Sequence, residues 1–237
     1  MRAAPLALMA MLITGAAARA DGLGDCTQPA EPPAAIEACS RIVQDYTVND
    51  GQMAIAFTHR GNAYGALGNT EDAIADYSMA LALDPAYAHA YYNRGSTYLE
   101  MRRYDQAITD FDVALRFDPG PGHAYVNRGL AKLESGRLDG AVDDFSAAIA
   151  LDPSDARAHN NRGVAYRRKG ELILALADFD RAIAVKPDYV AALNSRAEIL
   201  DNVGRLHEAI ATFARLLVLN PAHEAARRNL LRLVADE

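Results

Sequence analysis

The chain has 237 residues, of which 51% are hydrophobic and 23% are charged, as expected for a globular protein of one or two domains. Its formal net charge of −7 argues against binding to the phosphates of nucleic acids. Two cysteines are too few for a cysteine-rich scaffold, and the body of the chain has no apolar run long enough to cross a bilayer.

The start of the chain, residues 1–20, is typical of a secretory signal peptide. Arg2 supplies a positive charge, an apolar stretch follows, and Ala18-Arg19-Ala20 matches the small-residue pattern of a cleavage site. The apolar stretch is short for a retained membrane anchor. We therefore expect an exported protein with no membrane span after cleavage at Ala20. Processing as a lipoprotein at Cys26 stays open as an alternative.

Export changes the interpretation of Cys26 and Cys39, the two cysteines of the chain. In an oxidising compartment such a pair favours one disulfide bond. A loop of this length would stabilise the fold by about 3 kcal/mol in the chain-entropy description. Unlinked thiols and an intermolecular bond remain alternatives, whereas a redox-active pair is disfavoured because no C-x-x-C spacing is present.

Five prolines recur at one constant interval, which indicates an internal repeat. They are Pro85, Pro119, Pro153, Pro187 and Pro221. We expect a disulfide-stapled coil and a capping helix over residues 21–53, and a C-terminal capping helix over residues 224–237. Between them, repeats 1 to 5 span residues 54–87, 88–121, 122–155, 156–189 and 190–223.

Each repeat predicts two antiparallel helices. The first helix carries a small residue at Gly61, Gly95, Gly129, Gly163 and Ala197. The second carries an aromatic residue at Tyr77, Phe111, Phe145, Phe179 and Phe213, four residues after an alanine. This spacing places apolar side chains on one helix face. Small residues let two helices approach closely, so the pattern predicts helix pairs that bury their faces by stacking.

The repeat length and these columns resemble the tetratricopeptide repeat family over residues 54–223. The resemblance implies an all-α fold, a right-handed superhelical solenoid of antiparallel helix pairs with a concave groove lined by the first helices. The Asn-Arg-Gly triplets at 93–95, 127–129 and 161–163 resemble a subgroup of exported bacterial proteins. The resemblance therefore implies a periplasmic protein of a Gram-negative bacterium, or a secreted one.

Two columns of opposite charge follow the repeats. The arginines are Arg60, Arg94, Arg128, Arg162 and Arg196, and the aspartates are Asp76, Asp110, Asp144 and Asp178. A stripe of arginines could bind anions, but a structural ladder of arginine–aspartate pairs is favoured because a partly buried guanidinium prefers a carboxylate partner. Since repeat 5 lacks the aspartate, we predict pairing between successive repeats, such as Asp110 with Arg128.

The resemblance also implies which side chains of the first helices would contact a ligand in the groove. These candidates are His89, Tyr92, Leu99, His123, Val126, Leu130, Leu133, Arg157, Arg167 and Arg168. They form an apolar stretch in repeats 2 and 3 and a basic one in repeat 4. Exposed apolar patches of this kind favour binding of a peptide. Packing of the same side chains within the protein is the alternative.

No motif for catalysis or for a cofactor is present. The six histidines lack the spacing of metal ligands, and the sequence contains neither G-x-S-x-G nor a phosphate-binding loop. We therefore expect no metal, no cofactor and no enzyme activity. The sequence predicts an exported module that binds a protein or peptide. Self-association as a structural envelope component and positioning of a cell-envelope enzyme are the two alternatives.

Overall fold

The computed structural model describes residues 23–28, 31–120 and 122–235, and the predicted signal peptide lies outside these ranges. The described residues form helices and no strand, which confirms the all-α fold. A short helix, α1, covers residues 23–27. The remaining helices are α2 (Pro32–Val43), α3 (Asp50–Ala66), α4 (Thr70–Leu83), α5 (Ala88–Glu100), α6 (Tyr104–Phe117), α7 (Gly122–Glu134), α8 (Leu138–Leu151), α9 (Ala156–Lys169), α10 (Leu172–Val185), α11 (Val190–Asn202), α12 (Leu206–Leu219) and α13 (Glu224–Ala235).

The chain divides into two compact bodies, an N-terminal body up to Pro119 and a C-terminal body from Gly120. In the N-terminal body α2 packs on α3, and the pairs α3–α4 and α5–α6 stack on each other. In the C-terminal body the pairs are α7–α8, α9–α10 and α11–α12, and α13 packs on α12. Across the residues that the structure describes, no helix is long and apolar enough to cross a lipid bilayer.

The first helix of a repeat ends where the backbone adopts a left-handed conformation. Gly68 after α3 has a φ of 79°, a conformation that glycine adopts without strain. The equivalent position after α5 is Arg102, whose φ is 58°, so an ordinary side chain makes the same turn there. Gly68 and Arg102 therefore mark equivalent ends of α3 and α5.

Close contact between a small residue and an aromatic ring holds each helix pair together. A Cβ atom added to Gly61 would lie 2.7 Å from the ring of Tyr77, and one added to Gly129 would lie 2.7 Å from the ring of Phe145. In repeat 5, Ala197 and Phe213 are both 0% exposed. The aromatic side chain therefore fills the space that the small residue leaves, as the columns predict.

Repeat 3 differs from the other repeats at one further position of its first helix, residue 132. Lys132 stands where other repeats have an aromatic or large apolar residue, and its Nζ lies 2.9 Å from an oxygen of Asp144. The lysine stem runs past Gly140, where an added Cβ would come within 3.2 Å of Lys132 Cδ. Lys132 thus replaces an aromatic contact by an ion pair, and Gly140 provides the space for its stem.

The first described helices of the N-terminal body are the short α1 and then α2, which packs on α3 in the place of a second helix. Cys26 of α1 and Cys39 of α2 form a disulfide bond and are both fully buried, in agreement with the predicted pairing. Residues 23–27 are helical, which corrects the expectation of coil at this point. Ser40 accepts a hydrogen bond from Arg60 at 3.0 Å, as Ser78 accepts one from Arg94 at 2.9 Å. By this register, Cys39 takes the position of Tyr77.

Candidate functional site

The candidate site is the face of the first helices, and each body presents its own part of it. In the N-terminal body this face lies on α3 and α5. His89 is exposed, and Tyr92 and Leu99 are partly exposed. The ring of Tyr92 lies 5.8 Å from the ring of Phe111, so the core holds Tyr92 in place while part of the ring stays accessible.

A polar network connects side chains of α3, α4 and α5 in the same body. The hydroxyl of Tyr77 donates a hydrogen bond to Asn62 Oδ1 at 2.9 Å, and Asn93 Nδ2 donates to the same oxygen at 2.9 Å. Burial raises the pKa of Tyr77 to about 12. The sequence assigns Tyr77 to the packing column alone. Tyr77 is the single tyrosine in a column that otherwise consists of phenylalanine. Its hydroxyl is the feature of the sequence that could have revealed this hydrogen bond.

Two histidines lie close together on the same body. Burial, and secondly the charge of nearby His89, lower the pKa of His59. This arrangement favours a neutral imidazole at His59 near neutral pH. Among the described residues no group of three or more histidine, cysteine, aspartate or glutamate side chains is placed to hold a metal ion.

In the C-terminal body, two of the predicted groove residues are part of the core, which corrects their assignment. Val126 and Leu133 are 2% and 3% exposed and pack in one cluster with Phe145, Ala158 and Ala165. Leu130 is partly buried against the same cluster. The first helix of the next repeat covers these positions, so Val126 and Leu133 do not offer a surface to a ligand. His123 remains exposed.

Two of the three predicted basic groove residues of repeat 4 form ion pairs within the protein. Arg167 pairs with Glu198 at 3.0 Å, and Asn194 donates to the other oxygen of that carboxylate at 2.7 Å. Arg168 pairs with Glu134 at 2.9 Å and also donates to a backbone carbonyl. Arg157 is exposed. An anionic ligand would therefore compete with carboxylates that already hold Arg167 and Arg168.

In repeats 1 to 4 the arginine column forms ion pairs inside the repeat, so the predicted pairing of Asp110 with Arg128 is wrong. Arg94 makes a bidentate contact with Asp110, at 2.7 and 2.9 Å. The antiparallel arrangement of the two helices places residues sixteen apart opposite each other. The other pairs of this kind are Arg60–Asp76, Arg128–Asp144 and Arg162–Asp178.

The same arginines also reach back toward the preceding repeat. Arg162 Nη1 donates to the hydroxyl of Ser146 at 3.0 Å. Arg196, whose repeat lacks the aspartate, pairs with Asp180 at 2.6 Å and donates to Thr212 at 2.5 Å. The ladder is therefore structural, because partners on two second helices hold the guanidinium groups of Arg60, Arg94, Arg162 and Arg196.

The stacked helix pairs, with their close small–aromatic contacts, define a helical repeat protein built on a unit of constant length. Three models of tetratricopeptide repeats match the sequence, one at residues 61–102 and 129–170, one at 88–121 and 156–189, and one at 174–224. The chain belongs to the tetratricopeptide repeat family.

Solved structures show the same fold. A crystal structure of MamA is 25% identical, with a TM-score of 0.66, and the alignment covers 68% of this chain and 94% of MamA. YrrB, a tetratricopeptide protein with an unusual peptide-binding site, is 23% identical, with a TM-score of 0.69 and coverage of 82% and 98%. MamA from Desulfovibrio magneticus RS-1 is 21% identical, with a TM-score of 0.65 and coverage of 73% and 96%.

Proposed function

We propose that this protein is an exported, non-enzymatic module that binds a segment of another protein or a peptide on the first-helix face of the N-terminal body. The observation that carries the proposal is the difference between the two parts of this face. On α5, Tyr92 and Leu99 stay partly accessible, whereas in the C-terminal body Val126 and Leu133 are buried. The accessible part is the one that can exchange water for a ligand.

The chemistry of this face favours an apolar segment with polar backbone groups. Tyr92 and Leu99 offer apolar contact, and the exposed Asn62 of α3 and the partly exposed Asn93 of α5 supply amide groups on the same two helices. Tyr92 is also fixed by Phe111, so ordering it on binding costs little conformational entropy.

Export is supported by the disulfide, since such bonds persist in oxidising compartments. The signal-like pattern of residues 1–20 supports the same proposal and lies outside the described residues. If the bound protein is a cell-envelope enzyme, the module acts as an accessory subunit that positions this enzyme, which is one of the two alternative functions given above. The identity of the partner decides between these two roles.

The proposal is tested with a photo-crosslinking amino acid placed at Leu99 in the native exported compartment. A partner crosslinked from Leu99, and absent when the probe stands at exposed Met79 of α4, supports binding on this face. With the crosslinked segment as a synthetic peptide, Leu99→Glu should weaken binding by about tenfold or more, while Met79→Glu should not. Equal crosslinking from both positions, or none from Leu99, would contradict the proposal.

A further inference from the structure

Repeat 1 differs from the other repeats at two positions that contact each other. Tyr77 is a tyrosine where repeats 2 to 5 have phenylalanine. Asn62 of α3 carries an amide, and the residues at its position in repeats 2 to 5 are Ser96, Leu130, Val164 and Glu198. The Tyr77 hydroxyl donates a hydrogen bond to Asn62 Oδ1 at 2.9 Å. The two departures from the repeat pattern therefore form one contact, which the repeats with phenylalanine cannot make.

The packing of repeat 1 does not require the hydroxyl of Tyr77. The ring of Tyr77 fills the space beside Gly61, and the ring of Phe145 fills the same space beside Gly129 in repeat 3. Burial, and to a smaller extent the charge of Glu100, raise the pKa of Tyr77 to about 12. The hydroxyl therefore keeps its proton at neutral pH and acts as a donor. Its contribution is the hydrogen bond to the amide rather than packing.

The side-chain amide of Asn62 is held in one orientation. Asn93 Nδ2 of α5 donates to the same oxygen as Tyr77, also at 2.9 Å, so two donors use both lone pairs of Asn62 Oδ1. Among the residues that the structure describes, none accepts a hydrogen bond from Asn62 Nδ2, and Asn62 is exposed. Asn62 thus offers two N–H donors to solvent or to a ligand.

We propose that Asn62 Nδ2 donates a hydrogen bond to a main-chain carbonyl oxygen of the bound segment, and that Tyr77 is the residue that positions the amide for this contact. The inference rests on the proposed binding of a peptide or protein segment to α3 and α5. Each residue of a peptide carries one main-chain carbonyl, so this acceptor is always present. Glu100 is exposed at the end of α5, and its charge acts on Tyr77. A negative charge near this network favours a neutral carbonyl over a carboxylate.

The contact defines the class of segment that binds to this face. A helical segment uses its carbonyl oxygens in its own hydrogen bonds, except in the last turn, whereas an extended segment leaves them free. The site therefore accepts an extended segment. Main-chain hydrogen bonds of this kind contribute affinity without reading the sequence, and the apolar contacts at Tyr92 and Leu99 supply the preference for particular side chains.

The test uses isothermal titration calorimetry with the synthetic peptide that corresponds to the segment crosslinked from Leu99. Asn62→Asp keeps an oxygen for Tyr77 and Asn93 but removes the N–H donors, and it should weaken binding by about tenfold or more. Tyr77→Phe keeps the ring and should weaken binding by about threefold to tenfold. Tyr64→Phe is the matched control on α3, because the described residues give its hydroxyl no hydrogen-bond partner, and it should leave the affinity unchanged. Urea unfolding checks that the variants stay folded.

A second series of peptides locates the acceptor. Each peptide has one peptide bond replaced by an alkene, which lacks the carbonyl oxygen. At one bond the replacement should weaken binding to the unmodified protein by about threefold to tenfold. The same peptide should bind Asn62→Asp and Tyr77→Phe without a further loss, because these variants already lack the correctly directed donor. A purely structural role of Tyr77 would not couple to one bond of the peptide.

Equal affinity of the unmodified chain and Asn62→Asp overturns the donor role of Asn62. An effect of Tyr77→Phe that is the same with every alkene peptide overturns positioning by Tyr77. Either result leaves the proposed function in place, because the peptide still binds. A crosslinked segment that binds as a helix, or an alkene series without a coupled bond, also overturns the inference. The absence of a crosslink from Leu99 contradicts the proposed function itself and overturns this inference with it.

Discussion

The two ends of the repeat array differ in how the outer face of their last helix is covered. Within the described residues, each end of the array has a helix without a complete repeat partner, α2 at the N-terminal end and α13 at the C-terminal end. At α2 a covalent bond closes the exposed face, because Cys26 of the short α1 reaches Cys39 at the position of the missing ring contact. At α13, within the described residues, no such closure exists, and Leu231 remains 66% exposed. In the described residues the disulfide therefore covers the N-terminal end, whereas the C-terminal end leaves Leu231 exposed to solvent.

Both ends differ from the interior in one further respect: neither α2 nor α13 carries its member of the arginine–aspartate pair. Ala38 of α2 takes the position of the aspartate, by the register that aligns Ser40 with Ser78. Leu230 of α13 takes the position of the arginine, one repeat after Arg196. A partly buried charge without its partner is costly, so an end helix is more stable with an apolar residue there.

The largest expected effect is a difference in stability between substitutions on the buried face and on the exposed face of α13. Leu233→Ala should lower the free energy of unfolding by about 2–5 kcal/mol, because it leaves a cavity beside Phe213 and Leu216. Leu231→Ala should change it by less than about 0.5 kcal/mol, because Leu231 is mostly exposed. Urea unfolding of both variants measures the difference. Similar losses would mean that the outer face of α13 is covered in the monomer.

The next effect concerns the N-terminal end. Replacing both cysteines, Cys26→Ser with Cys39→Ser, should cost about 3 kcal/mol in the stability of the N-terminal cap. Hydrogen exchange should show the loss in α1, α2 and the start of α3, because these elements share the cluster around the disulfide. Reduction of the unmodified chain is the matched control and should give the same pattern. Protection that stays unchanged would show that α2 packs on α3 without the disulfide.

Most of the fold follows from the period of the sequence. The first helices α5, α7, α9 and α11 begin one repeat length apart, as the spacing of the prolines requires. The small and aromatic columns also predict which side chains of a pair touch, because backbone approach depends on a single residue, such as Gly129 against Phe145. Local rules of this kind repeat in every unit and are therefore visible in a single sequence.

The candidate site was less predictable, because it depends on contacts between repeats. The position of Val126 and Leu133 in the repeat identifies the helix face on which they lie, but not how far they are buried. Helix α9, the first helix of the following repeat, buries both. The predicted pairing of the arginines was wrong for a related reason. The missing aspartate of repeat 5 suggested partners in successive repeats, whereas Arg196 uses Thr212 and Asp180 in place of it. The geometry of the helix pair, rather than the charge column, decides the partner.

The smallest of these effects tests the interior ladder that both ends lack. In a double-mutant cycle, Arg162→Ala and Asp178→Ala should be coupled by about 1–3 kcal/mol, because the two side chains share two hydrogen bonds at 2.8 Å. Arg196→Ala and Asp178→Ala should be additive within about 0.5 kcal/mol, because Arg196 pairs with Asp180 instead. Urea unfolding of the single and double variants gives both values. Stronger coupling of Asp178 to Arg196 than to Arg162 would restore pairing between successive repeats, and the absence of the ladder at α2 and α13 would then need another explanation.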